Sequence, residues 1–371
     1  MNRIELLIVE DEQDVLDLYE LDIKRISREL FCEINTTIEK DLDGALKVLN
    51  DRNANISAAI VDLKLANDTK AFQEFSGNRV VEHIKKSMRF PVFVISSTPE
   101  QIDSDFNNKG PLFQVIKRGE RDSPVEDLVK LCLKGITKIL GYDGLFEQYL
   151  NEIFWNHLSH TIENWPSDAK QEELNEKSIF RYVLSLMHEY IDESVEHYHA
   201  AEFYIQPAIK ASLSTGDIVN FNEKRYLILT PACDIAVRVI DGKPGFKADH
   251  VLFCQIEELG DVFELFDTLS MESSKGKKKD FKRYLDNSYP RYHFMPNTLA
   301  IRPGLVDFQQ KITLPKVDVV KFFADGLISR DASVAVHFLK DIVSRYSSYY
   351  SRQGSPDFDT DDVFKSLVNS L

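Results

Sequence analysis

The sequence predicts an α/β protein. Its first part reads as a doubly wound, five-stranded parallel sheet, followed by a helical segment and an α+β region with a small β-barrel. Three observations lead there. Five short apolar runs recur in the first 140 residues, each followed by an amphipathic stretch. The first, third and fourth runs are continuously apolar, the pattern of strands covered on both faces of a parallel sheet. Beyond about residue 207 the texture changes to short strands separated by turn residues. The expected divisions are 1–141, 142–206 and 207–371.

"ELLIV" (5–9) is the first strand, and Val15, Leu18, Tyr19, Ile23 and Ile26 then follow a helical stripe. "CEINTTI" (32–38) alternates as a second strand before the helical "LDGALKVLND". "ISAAIVDL" (56–63) is a third strand, and "NRVVEHIKKSM" is an amphipathic helix. "PVFVISS" (91–97) and "LFQVIK" (112–117) are the fourth and fifth strands. "SPVEDLVKLCLKGITKIL" (123–140) closes the series as a helix, with Ser123 as N-cap and Pro124 in the first turn.

The chain has 371 residues, 43% apolar and 28% charged, with a formal charge of −15. That composition is ordinary for a folded domain protein. Both halves are net acidic, which disfavours nucleic acid as a partner because phosphates call for a basic face. No apolar run approaches the roughly 20 residues of a membrane span. The N-terminus lacks a signal-like core, and Cys32, Cys132, Cys233 and Cys254 form no CxxC pair. A reducing cytoplasmic location is therefore expected.

In doubly wound sheets, ligands bind beyond the carboxyl ends of the strands. The residues falling there are Glu10 and Asp11 after strand one, Asp62 after strand three, Ser96 after strand four and Lys117 after strand five. Glu10, Asp11 and Glu12 are consecutive, and clustered carboxylates repel unless something positive joins them. A hard cation such as Mg²⁺, which takes oxygen ligands and few protein carboxylates, answers that need.

On these residues the segment resembles the CheY-like receiver domain of bacterial response regulators, a flavodoxin-like fold. Glu10 and Asp11 match the family's acidic pair, Asp62 its phospho-acceptor, Ser96 its Ser/Thr and Lys117 its lysine. The resemblance implies phosphorylation of Asp62 by a histidine kinase or phosphotransfer protein, with Mg²⁺ held by Glu10, Asp11, Asp62 and the backbone carbonyl of Lys64. It also implies that Lys64 and Thr98 tune phosphate lifetime. In chemical terms, a carboxylate attacks phosphorus in line while cations offset charge on the equatorial oxygens. Three departures stand out. Arg118 follows Lys117 where the family usually has proline. Gln114 stands at the aromatic switch position, with Phe113 one place off. The stretch "KLANDTKAFQEFSG" after Asp62 is long and lacks the usual proline.

Residues 143–164 and 171–198 read as two acidic amphipathic helices broken at "WPSD" (165–168). Leu145, Tyr149 and Ile153, then Ile179, Val183, Leu186 and Tyr190, form stripes suited to a helical hairpin or a homodimer. His160 reads as a surface or packing residue rather than a phosphotransfer histidine. From 215 to 240 the chain reads as strand, turn at 222–224, strand, turn, strand, consistent with an SH3-like barrel loosely similar to PemK-type toxins over about 25 residues. Cys233 and Asp234 follow an apolar strand; a buried cysteine and a turn aspartate are expected, although Cys233 with His250 or His293 could be written as nucleophile and base. "SSKGKKKDFKR" (273–283), the one basic run of note, reads as a solvated loop, with contact to RNA or another acidic partner as the alternative. The aromatic helix of 332–352 is expected to stop at Gly354 and Pro356.

The leading expectation is a phosphorylatable receiver without DNA-binding output. The arrangement resembles the receiver protein of Detocs-type defensive two-component systems. That resemblance implies a partner kinase, a separate effector protein, and a role in drawing off phosphoryl groups during anti-phage defence. The alternative makes the C-terminal region a receiver-controlled nuclease or Cys–His hydrolase.

Overall fold

The computed structural model describes residues 2–65, 75–106, 110–165, 172–192, 197–240, 243–263, 266–270, 272–352 and 357–370. It divides into two compact units, Met1–Val195 and Glu196–Leu371. No helix among the described residues is long and apolar enough to cross a membrane.

In the first unit, β1 (Asn2–Val9), β2 (Cys32–Glu39), β3 (Ala58–Val61), β4 (Val92–Ser96) and β5 (Phe113–Lys117) form a parallel sheet in the order β2-β1-β3-β4-β5. The continuous apolar runs are explained by the pleat. Successive side chains of β1 point to opposite faces, so Ile4, Leu6 and Ile8 enter one core and Leu7 and Val9 the other. The first core is covered by α1 (Gln13–Glu29) and α4 (Pro124–Cys132), and the second by α2 (Leu42–Asn50) and α3 (Ser76–Ser87). Each such side chain, fully withdrawn from water, stabilises the fold by roughly 1.5–3 kcal/mol. Helix α1 buries Leu16, Tyr19, Ile23 and Ile26. Leu18, part of the expected stripe, is exposed, and Leu16 takes its place.

The helix expected over 123–140 is two helices. α4 (Pro124–Cys132) ends before Gly135, whose φ of +84° breaks the run, and α5 (Ile136–Leu140) resumes it. Ser123 stands at the N-cap without a capping bond; its hydroxyl donates to Asp22 and accepts from Arg25 Nη2. α6 (Leu145–Ile153) continues through a π-helical turn, Phe154–Leu158, into α7 (Ser159–Thr161). It packs on α8 (Glu172–Asp192), where Tyr149 and Tyr190 have ring centres 5.4 Å apart and the His157 ring meets the Tyr190 hydroxyl at 2.8 Å. The expected break at "WPSD" falls mostly outside the described residues.

The second unit is built on an antiparallel sheet. β6 (Tyr204–Ile205), β7 (Asp217–Phe221), β8 (Lys224–Ile228), β11 (His250–Glu257), β12 (Tyr292–Met295), β13 (Gly304–Pro315) and β14 (Ser329–Val334) pair in the order β12-β13-β11-β8-β7-β14-β6. This linear order, with β12 and β6 at its edges, stands where a small barrel was expected. A separate ribbon pairs β9 (Arg238–Ile240) with β10 (Lys243–Gly245). The sheet again feeds two cores. α13 (Val336–Ser351) covers one with Phe338, Ile342 and Tyr346, and α12 (Lys316–Ala324) covers the other with Val319, Phe322 and Phe323. The shorter helices α9 (Ala232–Ile235) and α10 (Leu259–Val262) lie between strands, and α14 (Thr360–Asn369) comes last.

The turn expected at 222–224 is a two-residue hairpin loop between β7 and β8, with Asn222 at φ +50° and Glu223 at φ +63°. Both positive values mark the type I′ turn that suits twisted strands. The basic run expected as a solvated loop is instead helix α11 (Lys275–Leu285), capped by the Ser274 hydroxyl, which accepts from the Lys277 amide. The expected stop at Gly354 and Pro356 lies outside the described residues.

Candidate functional site

From β1 the chain crosses to β2 on one side, and from β3 it winds to β4 and β5 on the other. The two directions part between β1 and β3, which makes the carboxyl ends of those strands the switch-point crevice. Glu10 and Asp62 are the residues that emerge there. Their backbone amides stay tied to the sheet, Glu10 N donating to Glu39 O at 3.0 Å and Asp62 N to Val9 O at 2.9 Å. Both carboxyl groups are buried, Glu10 1% and Asp62 4% exposed.

The positive group that meets them is Arg118. Its Nη2 donates to Glu10 Oε2 at 2.6 Å and to Asp62 Oδ2 at 2.9 Å, while its Nη1 donates to Glu12 Oε2 at 2.8 Å. The second oxygens are also engaged. Asp62 Oδ1 accepts from the Leu63 amide at 2.7 Å, and Glu10 Oε1 from the Glu12 amide at 3.1 Å. Burial nevertheless dominates at Glu10 and pushes its carboxyl up to about 7, with the Glu12 amide and the Arg118 charge opposing that rise. Asp11 is half-buried, and its carboxyl is raised by desolvation first and by the Asp62 and Glu12 charges, against a lowering from its own backbone amide and a smaller one from Lys64. Tyr19 packs beneath the site. Its phenol is raised by burial and by the nearby Glu10 charge.

Ser96 is fully buried at the end of β4, and its hydroxyl accepts from the Thr98 amide at 3.4 Å. It lies opposite Lys117 in the β4–β5 register, but the Lys117 side chain is exposed and makes no hydrogen bond to Asp62. The next amide, Arg118 N, donates to Ser96 O at 2.9 Å. The ladder thus runs one residue past β5, and it is Arg118, not Lys117, whose side chain joins the acids. Lys64 is exposed in the bend after Asp62. Most of the long stretch that follows lies outside the described residues.

The site therefore unites Glu10 and Asp62 with Ser96 close by, and leaves Lys117 outside. Among the described residues no three His, Cys, Asp or Glu side chains are arranged as a set that could hold a metal ion. Glu10 and Asp62 do converge, but on a guanidinium nitrogen. Gln114 bonds Pro111 and Arg121 near the surface, whereas Phe113 is buried with the Lys85 ammonium 4.0 Å from its ring centre.

Three residues escaped the sequence reading. Arg118 stood out only as a departure from proline. Tyr19 was assigned to the core. Gly77, in the first turn of α3, lies so close to the Asp62–Leu63 segment that a Cβ there would meet Asp62 O at 2.2 Å and Leu63 Cα at 2.5 Å. A glycine following a polar loop was the available signal.

In the second unit, Cys233 is exposed rather than buried, and its thiol meets Asp234 Oδ1 at 3.6 Å. Asp234 lies in the short helix α9. His250 is exposed at the start of β11, whereas His293 is buried in β12 beside Phe203. No hydrogen bond joins Cys233 to either histidine among the described residues. His160 is exposed in α7.

No protein-family model matches the chain, and no curated protein does so. Similar solved structures include the receiver domain of the PhyR response regulator from Erythrobacter litoralis, with 20% identity and a TM-score of 0.27, covering 36% of this chain and 92% of that one. The BeF3-activated N-terminal receiver domain of RstA from Klebsiella pneumoniae has 15% identity and a TM-score of 0.26, covering 36% and 99%. The N-terminal domain of a response regulator/sensory box/GGDEF protein from Carboxydothermus hydrogenoformans has 12% identity and a TM-score of 0.23, covering 36% and 94%. The fold assignment rests on the sheet order itself, 2-1-3-4-5 and all parallel.

Proposed function

We propose that the first unit is a response-regulator receiver phosphorylated on Asp62 by a histidine kinase or phosphotransfer protein. The observation carrying this reading is the placement of Asp62. Its carboxylate is buried at the switch point beside Glu10, with one oxygen held by the Leu63 amide and the other facing a cation.

In the proposed reaction a carboxylate oxygen of Asp62 forms a bond to phosphorus as the bond to the donor's imidazole nitrogen, or to the acetate oxygen of acetyl phosphate, breaks. The leaving group keeps the electron pair. The Leu63 amide fixes Oδ1 and so orients the carboxylate. By the resemblance Glu10, Asp11, Asp62 and the Lys64 carbonyl would hold Mg²⁺; of these, Glu10 and Asp62 converge on one cationic nitrogen, and hard oxygens are the ligands that ion takes. When bound, the ion supplies charge offset for the phosphoryl oxygens. The Ser96 hydroxyl, buried and bonded only weakly at 3.4 Å, is available to turn toward a phosphoryl group.

The output is proposed to be other than DNA binding, since a chain of charge −15 repels phosphate backbones. A phosphoryl sink in a Detocs-type defence system, with a separate effector protein as partner, agrees with that charge and with the resemblance of the first unit. Exposed apolar residues on the α6–α8 segment, including Trp155, Phe180 and Leu184, support a homodimer through that segment.

The test is incubation with Mg²⁺ and acetyl phosphate beside an Asp62→Asn control, read by intact mass. An adduct of one phosphoryl group that the control lacks is the expected outcome, and its lifetime separates a sink from a durable switch. No adduct here, nor with a cognate phosphotransfer partner, would overturn the reading.

A further inference from the structure

We propose that Arg118 is a tethered cation that stands in the divalent-cation position of the acid pocket, so that metal entry and the Arg118 clamp exclude one another. The proposal deepens the receiver reading and rests on it for its biological sense. Its geometry stands apart from that reading.

One nitrogen, Nη2, lies 2.6 Å from Glu10 Oε2 and 2.9 Å from Asp62 Oδ2. A magnesium ion ligated by both oxygens would sit about 2.0–2.1 Å from each. It would then lie within a few ångström of a guanidinium nitrogen of like charge in a poorly solvated pocket, where such repulsion is strong. The two cations cannot share these oxygens. Arg118 is also anchored where it must act. Its amide continues the β4–β5 ladder onto Ser96 O, which starts the side chain at the pocket mouth, and Glu12 holds Nη1 from the far side.

Two features make the clamp reversible rather than structural. Arg118 Nε is buried with no hydrogen-bond partner, a donor left unsatisfied at a cost in the closed state. The pocket also remains negative after the clamp closes, because one guanidinium faces Glu10, Glu12 and Asp62 with Asp11 adjacent. A divalent ion gains more from that charge than a monovalent one. With Arg118 displaced, its guanidinium reaches solvent on a flexible stem.

The experiment measures divalent binding by the full-length chain, using Mn²⁺ as the probe and the free-ion EPR signal as the readout. Calorimetry with Mg²⁺ runs in parallel. Wild type is compared with Arg118→Ala, with Arg118→Gln, which keeps side-chain bulk, and with Glu12→Gln, which removes one anchor and leaves Glu10 and Asp62 in place. Circular dichroism reports on folding of each. Tenfold or greater tightening in both Arg118 variants, with a smaller tightening in Glu12→Gln, is expected. Unchanged or weaker Mn²⁺ binding in the folded Arg118 variants overturns the proposal.

The acetyl phosphate assay on the same proteins separates the two readings. Tightened Mn²⁺ binding without an Asp62 adduct in any of them sinks the receiver reading alone. An adduct present in wild type, lost in Arg118→Ala, with Mn²⁺ affinity unchanged, sinks the clamp and makes Arg118 a phosphoryl contact instead.

Discussion

At the scale of single residues, the acid pocket was legible as a place and misread as a set. The rule that strand ends carry the site points to Glu10, Asp11, Asp62 and Ser96, of which Glu10 and Asp62 meet on a cation, Arg118. Which of two consecutive basic residues would supply it depends on how the chain faces as it leaves β5, and that is a property of pairing with β4 rather than of the local sequence. Gly77 was equally hidden, because its need comes from a backbone fifteen positions earlier. Gly77→Ala places a methyl group against Asp62 O and Leu63 Cα, backbone atoms that give way poorly. It should cost about 1–3 kcal/mol in urea unfolding and shift the Asp62 carboxylate enough to slow the proposed phosphorylation. His293 offers a pH test. Burial first, and the Arg345 charge second, hold its imidazole down at about 3. Asp341 stands 3.6 Å away but is too exposed to compensate. The unfolded chain takes up this proton near pH 6.5 and the folded one does not. The stabilisation is therefore complete above pH 6.5 and is lost as pH falls toward 3, at about 1.4 kcal/mol per pH unit. His293→Phe should flatten that part of the acid-unfolding curve.

At the scale of elements, the parallel strands announced themselves because each is apolar on both faces and pairs with neighbours through compact crossovers. The antiparallel sheet did not. Its strands were visible singly, but β14 pairs with β6 and β7 across more than a hundred residues, and no local pattern encodes that order. The β7–β8 hairpin is the exception, since Asn222 at the first turn position marks it. Glu223 then sits at φ +63°, where a side chain is strained. Glu223→Gly should stabilise the second unit by about 0.5 kcal/mol, the relief of strain exceeding the extra freedom of the unfolded glycine. A shift in thermal midpoint checks it. The join of β7 and β14 carries a heavier constraint. Asp217, wholly buried, binds Arg330 Nη1 at 3.0 Å, the Ser214 amide at 2.8 Å and the Ser333 hydroxyl. Asp217→Ala leaves the Arg330 charge poorly solvated, and a loss of about 3–5 kcal/mol is expected by chemical denaturation.

At the scale of the whole molecule, each unit has a sheet of its own with a core on either face. Two such bodies need not melt together. Calorimetry should resolve two transitions, with Asp217→Ala lowering one and the proposed phosphorylation of Asp62 raising the other. A single transition displaced as one by both would show energetic coupling between the units. The Arg118 clamp has a further consequence, in the order of synthesis. Glu10, Glu12 and Asp62 leave the ribosome long before residue 118 does. Until then the nascent sheet must gather three carboxylates at one point without its own counter-charge. Docking of the fifth strand brings that charge, so an N-terminal fragment ending before residue 118 would hold its crevice open by self-repulsion. Newly made chains thus pass through an interval in which an outside cation meets no internal rival.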